Sequence, residues 1–459
     1  MADTDAAGNA IQFSVPTVAN GGVRRSPPHE GLRQGYSATL AWRECKRSTI
    51  HGGSSAARSN GKMTDPRLFV TRGESAARSQ HIERERGAMR AMGNRFLAID
   101  VMRGLTLALM IVVNLQIGEG KSYTQLLHAR WDGLTLTDLV FPTFMFVVGT
   151  SLSFTLEKYE LLGDAAFLRK VLTRTALIFL CGYLLYWFPF FRVDTTGHIV
   201  LAPIAQTRVL GVLQRIAIGY GAAALIVHYG GRAGAITFGL GALLGYWWLM
   251  HAFGDYSLAG NAAIKLDKLV LGEAHMYHGE GVAFDPEGIL STLPAIVNVL
   301  AGYLAGRFVR DHGRNRRTIA TLLLVGAACV LLALLWNTVF PINKKLWTSS
   351  YVLYTVGIDL GVLGILVYLV PQWRNPAWTY FFEVLGRNTL VIYLLSEAAE
   401  KLLHMVRIGP QSLLEWVYAV GFASWAGDKA GSLLYALAYM LCCWAVAYAM
   451  DRKGIYVKL

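Results

Sequence analysis

Charge is scarce in this chain. Only 16% of its 459 residues are Asp, Glu, Lys or Arg, where a soluble domain carries about 25%. An ordinary water-facing surface is therefore excluded for most of its length. Cysteine is scarce too. Of Cys45, Cys181, Cys329, Cys442 and Cys443, the first lies in a polar tail and the others within apolar runs. No two are spaced as CxxC, which leaves no disulfide framework and no metal-ligand pattern. The first 91 residues lack the basic start, apolar centre and small-residue cleavage site of a signal peptide. No internal repeat aligns, which weighs against a transporter built from inverted halves.

What remains is apolar: 54% of the residues, unevenly placed. Residues 1–91 are polar, basic and expected to be disordered, with no function assigned. An alternative is that the natural start is Met63, Met89 or Met92. From Phe96 onward, apolar runs of about 20 residues recur, each long enough to cross a hydrocarbon core of about 30 Å. The predicted spans are 96–116, 134–156, 168–188, 208–229, 233–253, 288–309, 318–340, 348–370, 379–401 and 431–450. Residues 411–427 are apolar and Trp-rich but short, and carry Glu415. They are expected to lie at the interface or re-enter the bilayer, with an eleventh span as the alternative. The expected fold is an all-α polytopic membrane bundle of about ten helices, or eleven, occupying 92–459.

The net charge of +13 resembles a nucleic-acid signal, but the basic residues sit in the tail and in short loops. There they orient membrane helices instead. Placing the N-terminus in the cytoplasm gives that side roughly a two-to-one excess of Lys and Arg, including Arg307, Arg310, Arg314, Arg316 and Arg317. Ten spans return the basic C-terminus to the same side. The long loops 117–133, 189–207 and 254–287 then face outward, where a polar substrate would meet the protein.

Ionisable groups within spans cost several kcal/mol unless paired or hydrated. Asp100 and Arg103 are three apart and can pair with each other. Arg174 lies one turn into its helix and can snorkel. Asp359 is mid-span, to be protonated or paired across helices. Arg215 in "RVLGVLQRIAIGY" and Arg387 in "LGRNTLVIYLLSE" keep their charge. With Asn388 they suit a phosphate-bearing ligand, or a structural pairing with a carboxylate.

Three outer stretches are unusually polar. In "HARWDGLTLTD", His128 lies near Asp132 and Asp138, the components of a general base and its orienting group. In "DKLVLGEAHMYHGEGVAFDPEG", Asp285 reads as a helix N-cap with Pro286 at the first helical position and Glu287 in the first turn. His275, His278 and Glu280 are too weakly patterned for a metal, and none is expected. In "PINKKLWTSS", Asn343 and Lys344 sit at the outer mouth, and Trp347 reads as an interfacial anchor.

In this order, these stretches resemble the transmembrane heparan-alpha-glucosaminide N-acetyltransferase family, which comprises a lysosomal enzyme and shorter bacterial relatives. The resemblance covers about 95–459. It rests on "AIDVMRGLTLALMIVVN", "HARWDGLTLTDLVFPTFMFVVGTSL", "RVLGVLQRIA", "DKLVLGEAHMY", "AFDPEGILSTLPAIV", "PINKKLWTSSYV" and "GRNTLVIYLLSE". It implies acetyl transfer from cytoplasmic acetyl-CoA, as co-substrate, to the amine of a glucosamine across the membrane. His128 would be the catalytic histidine, with Asn114 beside it. Arg215, Arg387, Asn388, Arg103 and Arg174 would contact acetyl-CoA. Asp138, Asp132, Asp285, Glu287 and Asn343 would surround the sugar. The lysosomal relative's N-terminal lumenal domain is expected to be absent, in which case the acceptor need not be heparan. The implied setting is a bacterial inner membrane. Its lipids and a glycan or small-molecule acceptor are the expected partners, with a homodimer left open and no nucleic acid. Two alternatives are an O-acyltransferase of envelope polysaccharide and a transporter of sugars or peptidoglycan fragments. An acceptor panel and an uptake assay without acetyl-CoA would distinguish them.

Overall fold

A computed structural model describes residues 97–160, 163–193, 198–372 and 376–457. The expectations for residues 1–91 lie outside them. Backbone in lipid must satisfy its own hydrogen bonds, and the apolar runs accordingly become helices. These are α1 (Leu97–Asn114), α2 (Leu136–Glu160), α3 (Asp164–Trp187), α4 (Val212–Phe253), α5 (Ala262–Val270), α6 (Ile289–His312), α7 (Arg316–Trp336), α8 (Ser349–Gln372), α9 (Pro376–Arg387) and α10 (Thr389–Met405). The short α11 (Leu413–Tyr418) and α12 (Ser424–Ala426) precede α13 (Asp428–Arg452). The only strands among the described residues form two small hairpins, β1 (Phe191–Val193) with β2 (Ile199–Leu201) and β3 (Arg407–Ile408) with β4 (Gln411–Ser412).

Seven helices among the described residues are long and apolar enough to cross a membrane: α1, α2, α4, α6, α7, α8 and α13. Leu324, Leu331 and Leu335 on α7 are exposed, a surface suited to lipid and not to water. α4 joins two predicted spans across Gly231, whose backbone is non-helical (φ 57°, ψ −148°). A β-carbon added at Gly234 would lie 3.3 Å from the Ile226 carbonyl oxygen, whereas eight residues of straight helix cover about 12 Å. The chain therefore folds back at Gly231. The predicted span 379–401 is instead broken at Asn388 (φ −122°, ψ 34°) into α9 and α10. Residues 411–427 hold two short helices separated by the π-turn Ala419–Ala423. Glu415 is not a charge stranded in a span, because it forms a capping box with Ser412 at the start of α11.

Helices pack closely where glycine removes the side chain. A β-carbon on Gly149 of α2 would overlap the carbonyl oxygen of Val299 on α6, and one on Gly302 of α6 would overlap that of Phe146 on α2. Gly326 of α7 and Gly357 of α8 oppose each other similarly, with added β-carbons 2.7 and 2.6 Å from the partner's carbonyl oxygen. One large apolar core runs through α1, α2, α4, α6, α8 and α10. A second, smaller core under the loops gathers Tyr246, Met250, Ile264, Met276, Phe284, Phe340 and Leu346. It seats the 254–288 connection on the end of the bundle where α2, α6 and α8 begin, called here the site end.

Gly302→Leu is expected to destabilise the protein by about 1–3 kcal/mol, the usual cost of overpacking. It should lower the thermal midpoint in detergent, and Gly302→Ala should lower it too, because its β-carbon already meets the Phe146 carbonyl. An unchanged midpoint for Gly302→Leu would contradict the close α2–α6 packing.

Candidate active site

The first turn of α2 carries Asp138, a side chain only 1% exposed. Its Oδ2 accepts from the Ala129 and Thr135 backbone N–H groups at 3.1 and 3.0 Å and from Thr135 Oγ1 at 2.9 Å. The helix N-terminus also favours a carboxylate there. Its Oδ1 lies 2.8 Å from Nδ1 of His128, whose side chain is 52% exposed. A proton on Nδ1, directed at the carboxylate, leaves Nε2 as the proton acceptor. Lys344 approaches the same ring, with Nζ 2.9 Å from Nδ1, 3.4 Å from Nε2 and 3.5 Å from Asp138 Oδ1. Burial pulls the Lys344 ammonium below its usual proton affinity, against the opposing pull of Asp138 and Glu287.

Beside this dyad lies an ion cluster. Arg208, just before α4, forks onto Asp285, with Nε–Oδ2 3.0 Å and Nη2–Oδ1 2.6 Å, and also meets Glu287 at 2.5 Å. Its guanidinium lies between the rings of Tyr186 and Tyr277, 5.0 and 4.9 Å from their centroids. Asp285 also accepts from the Glu287 N–H at 3.0 Å. The helix it was predicted to cap starts later, with Gly288 in the N-cap position.

The first peptide of α6 is gripped from both sides. Arg215, 1% exposed, donates to the Gly288 carbonyl at 3.2 Å and to the Ser291 hydroxyl, and lies 4.7 Å from the Trp347 ring centroid. Asp267 of α5 accepts the Ile289 N–H at 2.8 Å. Burial pushes the Asp267 carboxyl up to about 7. Trp347 is not the predicted interfacial anchor. It is 1% exposed, has a left-handed backbone (φ 54°) and donates from Nε1 to Asn298 at 3.1 Å. The cation of Arg215 and the close-packed start of α8 hold it inside.

Other predicted residues are distributed over both ends of the bundle. Asn114 ends α1 and donates to Glu397 of α10 at 2.9 Å. Asp132 is exposed and accepts from the fully buried Asn343 at 3.1 Å. Of the expected sugar contacts, Asp138, Asp285 and Asn343 are buried and bonded to protein groups. Asp138 orients His128, Asp285 binds Arg208, and Asn343 shapes the turn that carries Lys344. Glu287 and Asp132 remain accessible in part.

Arg103 lies at the opposite end, bonded to Asp100 at 3.1 Å, to the Gly386 carbonyl at 3.1 Å and to Ser151. Asp138 and Ser151 are thirteen residues apart along α2, about 20 Å. Arg174 lies 4.7 Å from the Tyr220 ring centroid. It borders a groove of about 500 Å³ whose described wall includes Arg169, Lys170 and Thr173. Arg387 and Asn388 already hold the end of α13 and the segment that follows it. Arg387 meets Asp451 at 2.6 Å and also Glu383, while Asn388 bonds Ile455 and Val457 backbone at 3.0 and 3.1 Å. Between the two ends, Met110, Phe144, Leu213, Ile216, Leu390 and Tyr393 line an apolar cavity of about 10 Å³, at most the room of one water.

The sequence reading missed Arg208 as a site residue and gave Lys344 no role. Their partners lie 77 and 216 residues away. The signal available for Arg208 was the unpaired excess of acid in "FDPEG".

A family model for the catalytic region of heparan-alpha-glucosaminide N-acetyltransferase matches residues 95–335. The heparan-alpha-glucosaminide N-acetyltransferase of Mus musculus is 29% identical over 379 residues, covering 68% of this chain and 54% of that protein. That of Homo sapiens is 28% identical over 372 residues, with the same coverages. The chain spans about half the length of the curated relatives it matches.

Two outcomes follow from this geometry. Replacing Arg208 by Met leaves the buried Asp285 and the partly buried Glu287 without their cation and is expected to cost about 3–5 kcal/mol, read from unfolding in detergent. Asp267 keeps its proton in the folded protein up to about pH 7, whereas the unfolded chain loses it near pH 4. The unfolded state therefore binds fewer protons across that window, and stability falls as pH rises through it. Asp267→Asn should flatten this part of the pH profile of the thermal midpoint, and an unchanged slope would contradict the assignment.

Proposed function

The chain belongs to the heparan-alpha-glucosaminide N-acetyltransferase catalytic family, and on that premise we propose that it moves an acetyl group from acetyl-CoA to the amine of a glucosamine-type sugar. The observation that carries this reading is the half-exposed His128 ring fixed on the buried Asp138 carboxylate, 2.8 Å away. That arrangement leaves Nε2 without a carboxylate partner, with the Lys344 amine 3.4 Å away. The acceptor nitrogen attacks the thioester carbonyl, forming a C–N bond and breaking the C–S bond. His128 Nε2 takes the proton leaving the nitrogen and returns it to the departing thiolate. Of the two N–H groups of Asn114, one is engaged by Glu397, and the other is available to the developing oxyanion. Asp132 and Glu287 offer carboxylates to the sugar.

In this reading ten spans cross a bacterial inner membrane, with both termini and the Arg307–Arg317 run in the cytoplasm. Acetyl-CoA presents its phosphates at the end opposite His128, beside Arg103, Arg174 and the Arg169–Lys170 groove. Its thin arm follows the line of the small apolar cavity, which must widen to admit it, toward Arg215 and the site end. Arg387 and Asn388 join the phosphates only after releasing Asp451 and the residue 455–457 backbone.

Purified protein given acetyl-CoA and glucosamine should release free CoA. His128→Ala should slow this by about 10²–10⁴, the usual worth of a general base. Asp138→Asn should also lose rate, because the ring is no longer held in one tautomer. Wild-type turnover in His128→Ala would end the assignment. An acceptor panel in which hydroxyl sugars react and amino sugars do not would replace N-transfer by O-transfer.

A further inference from the structure

In this structure the amine nearest the His128 ring belongs to the protein. Lys344 Nζ lies 2.9 and 3.4 Å from the two ring nitrogens, in the region an acceptor's amine must enter to give up its proton. It is carried on the 341–347 turn, which Asn343 braces through bonds to the Leu346 N–H at 2.9 Å and to Asp132. The neighbouring Lys345 is held differently, paired with Glu280 at 2.6 Å and donating to the Arg130 carbonyl at 2.8 Å. Lys344's own carboxylate contact is a longer 3.5 Å to Asp138, which is already saturated by four other donors. A lysine in partial desolvation is closer to the neutral amine that nucleophilic attack requires, and burial acts on Lys344 in that direction.

We infer that Lys344 is an internal acetyl acceptor, modified by the bound acyl donor when no sugar occupies the site. Lys344 Nζ attacks the thioester carbonyl, a C–N amide bond forms and the C–S bond breaks. The nitrogen's proton passes to His128 and then to the departing thiolate, so the products are acetyl-lysine and free CoA. The modification removes a positive charge beside His128 and Asp138 and fills the acceptor's position. It makes the enzyme sensitive to the supply of sugar: abundant acceptor protects it, and donor without acceptor closes it. This inference rests on the proposed delivery of an acetyl group to His128.

The test uses the full chain in detergent, incubated with isotopically labelled acetyl-CoA with and without glucosamine, then digested and sequenced by mass spectrometry. The expected result is a hydroxylamine-stable label on Lys344, with Lys345 unlabelled, reduced several-fold by glucosamine. In His128→Ala the Lys344 label should fall to the level of the exposed Lys429. The inference is overturned if glucosamine is acetylated by the same preparation while Lys344 stays unlabelled. An undiminished Lys344 label in His128→Ala, or a label that hydroxylamine removes, also overturns it. If neither glucosamine nor Lys344 is labelled, the proposed function itself fails and takes this inference with it.

Discussion

A carboxylate removed from water has to be met by donors, and around Asp138 that demand ties four parts of the chain together. The Ala129 and Thr135 backbone groups come from the first long loop, and the carboxylate itself from the first turn of α2. Lys344 comes from the turn before α8, and Tyr351 of α8 donates its hydroxyl to the Asp138 carbonyl at 2.5 Å. His128 is the one partner that keeps an exposed face. The geometry of the imidazole is therefore a by-product of satisfying a buried charge, which makes it reproducible without any ligand. Breaking such an arrangement from one side is far more costly than forming it is favourable.

The same logic explains the density of polar groups at the site end. Arg208, Asp285 and Glu287 neutralise one another within a cage of two tyrosine rings. Arg215 and Asp267 instead hold the carbonyl and the N–H of the peptide that starts α6. With these groups bonded to protein, a ligand entering here would meet a preorganised surface whose partly accessible acidic positions include Asp132 and Glu287. At the opposite end the cations are less uniformly committed, with Arg387 fully engaged and Arg174 resting on an aromatic ring.

Much of the fold was legible in the sequence because apolar length is a local property. The predicted 288–309 and 348–370 fall on α6 and α8, and the gap between the predicted 208–229 and 233–253 brackets the turn inside α4. The local Asp100–Arg103 pairing also appears as predicted. What was not legible depended on distance in the chain. Trp347 looks like a belt residue until Arg215 and Asn298 are seen around it, and Asp138, read both as an orienter of His128 and as a sugar contact, is buried against the His128 ring. The break at Asn388 was hidden by an apolar run that continues on both sides of it. Its polar Arg387–Asn388 pair was read as ligand chemistry or as a structural pairing with a carboxylate, and Arg387 pairs with Asp451 and Glu383 while Asn388 anchors the chain's own C-terminal backbone.

The opposed glycines also bear on where the bundle can move. Helix pairs whose backbones touch cannot slide or separate without losing many contacts at once, so α2 with α6, and α7 with α8, behave as two stiff staves. The segment α9–α10 is different. It is interrupted midway, fastened at its break by side-chain bonds to a terminal peptide, and it forms one wall of the narrow apolar gap through Leu390 and Tyr393. Widening of that gap would therefore come from α10 swinging about Asn388, with the two staves standing still as its doorframe.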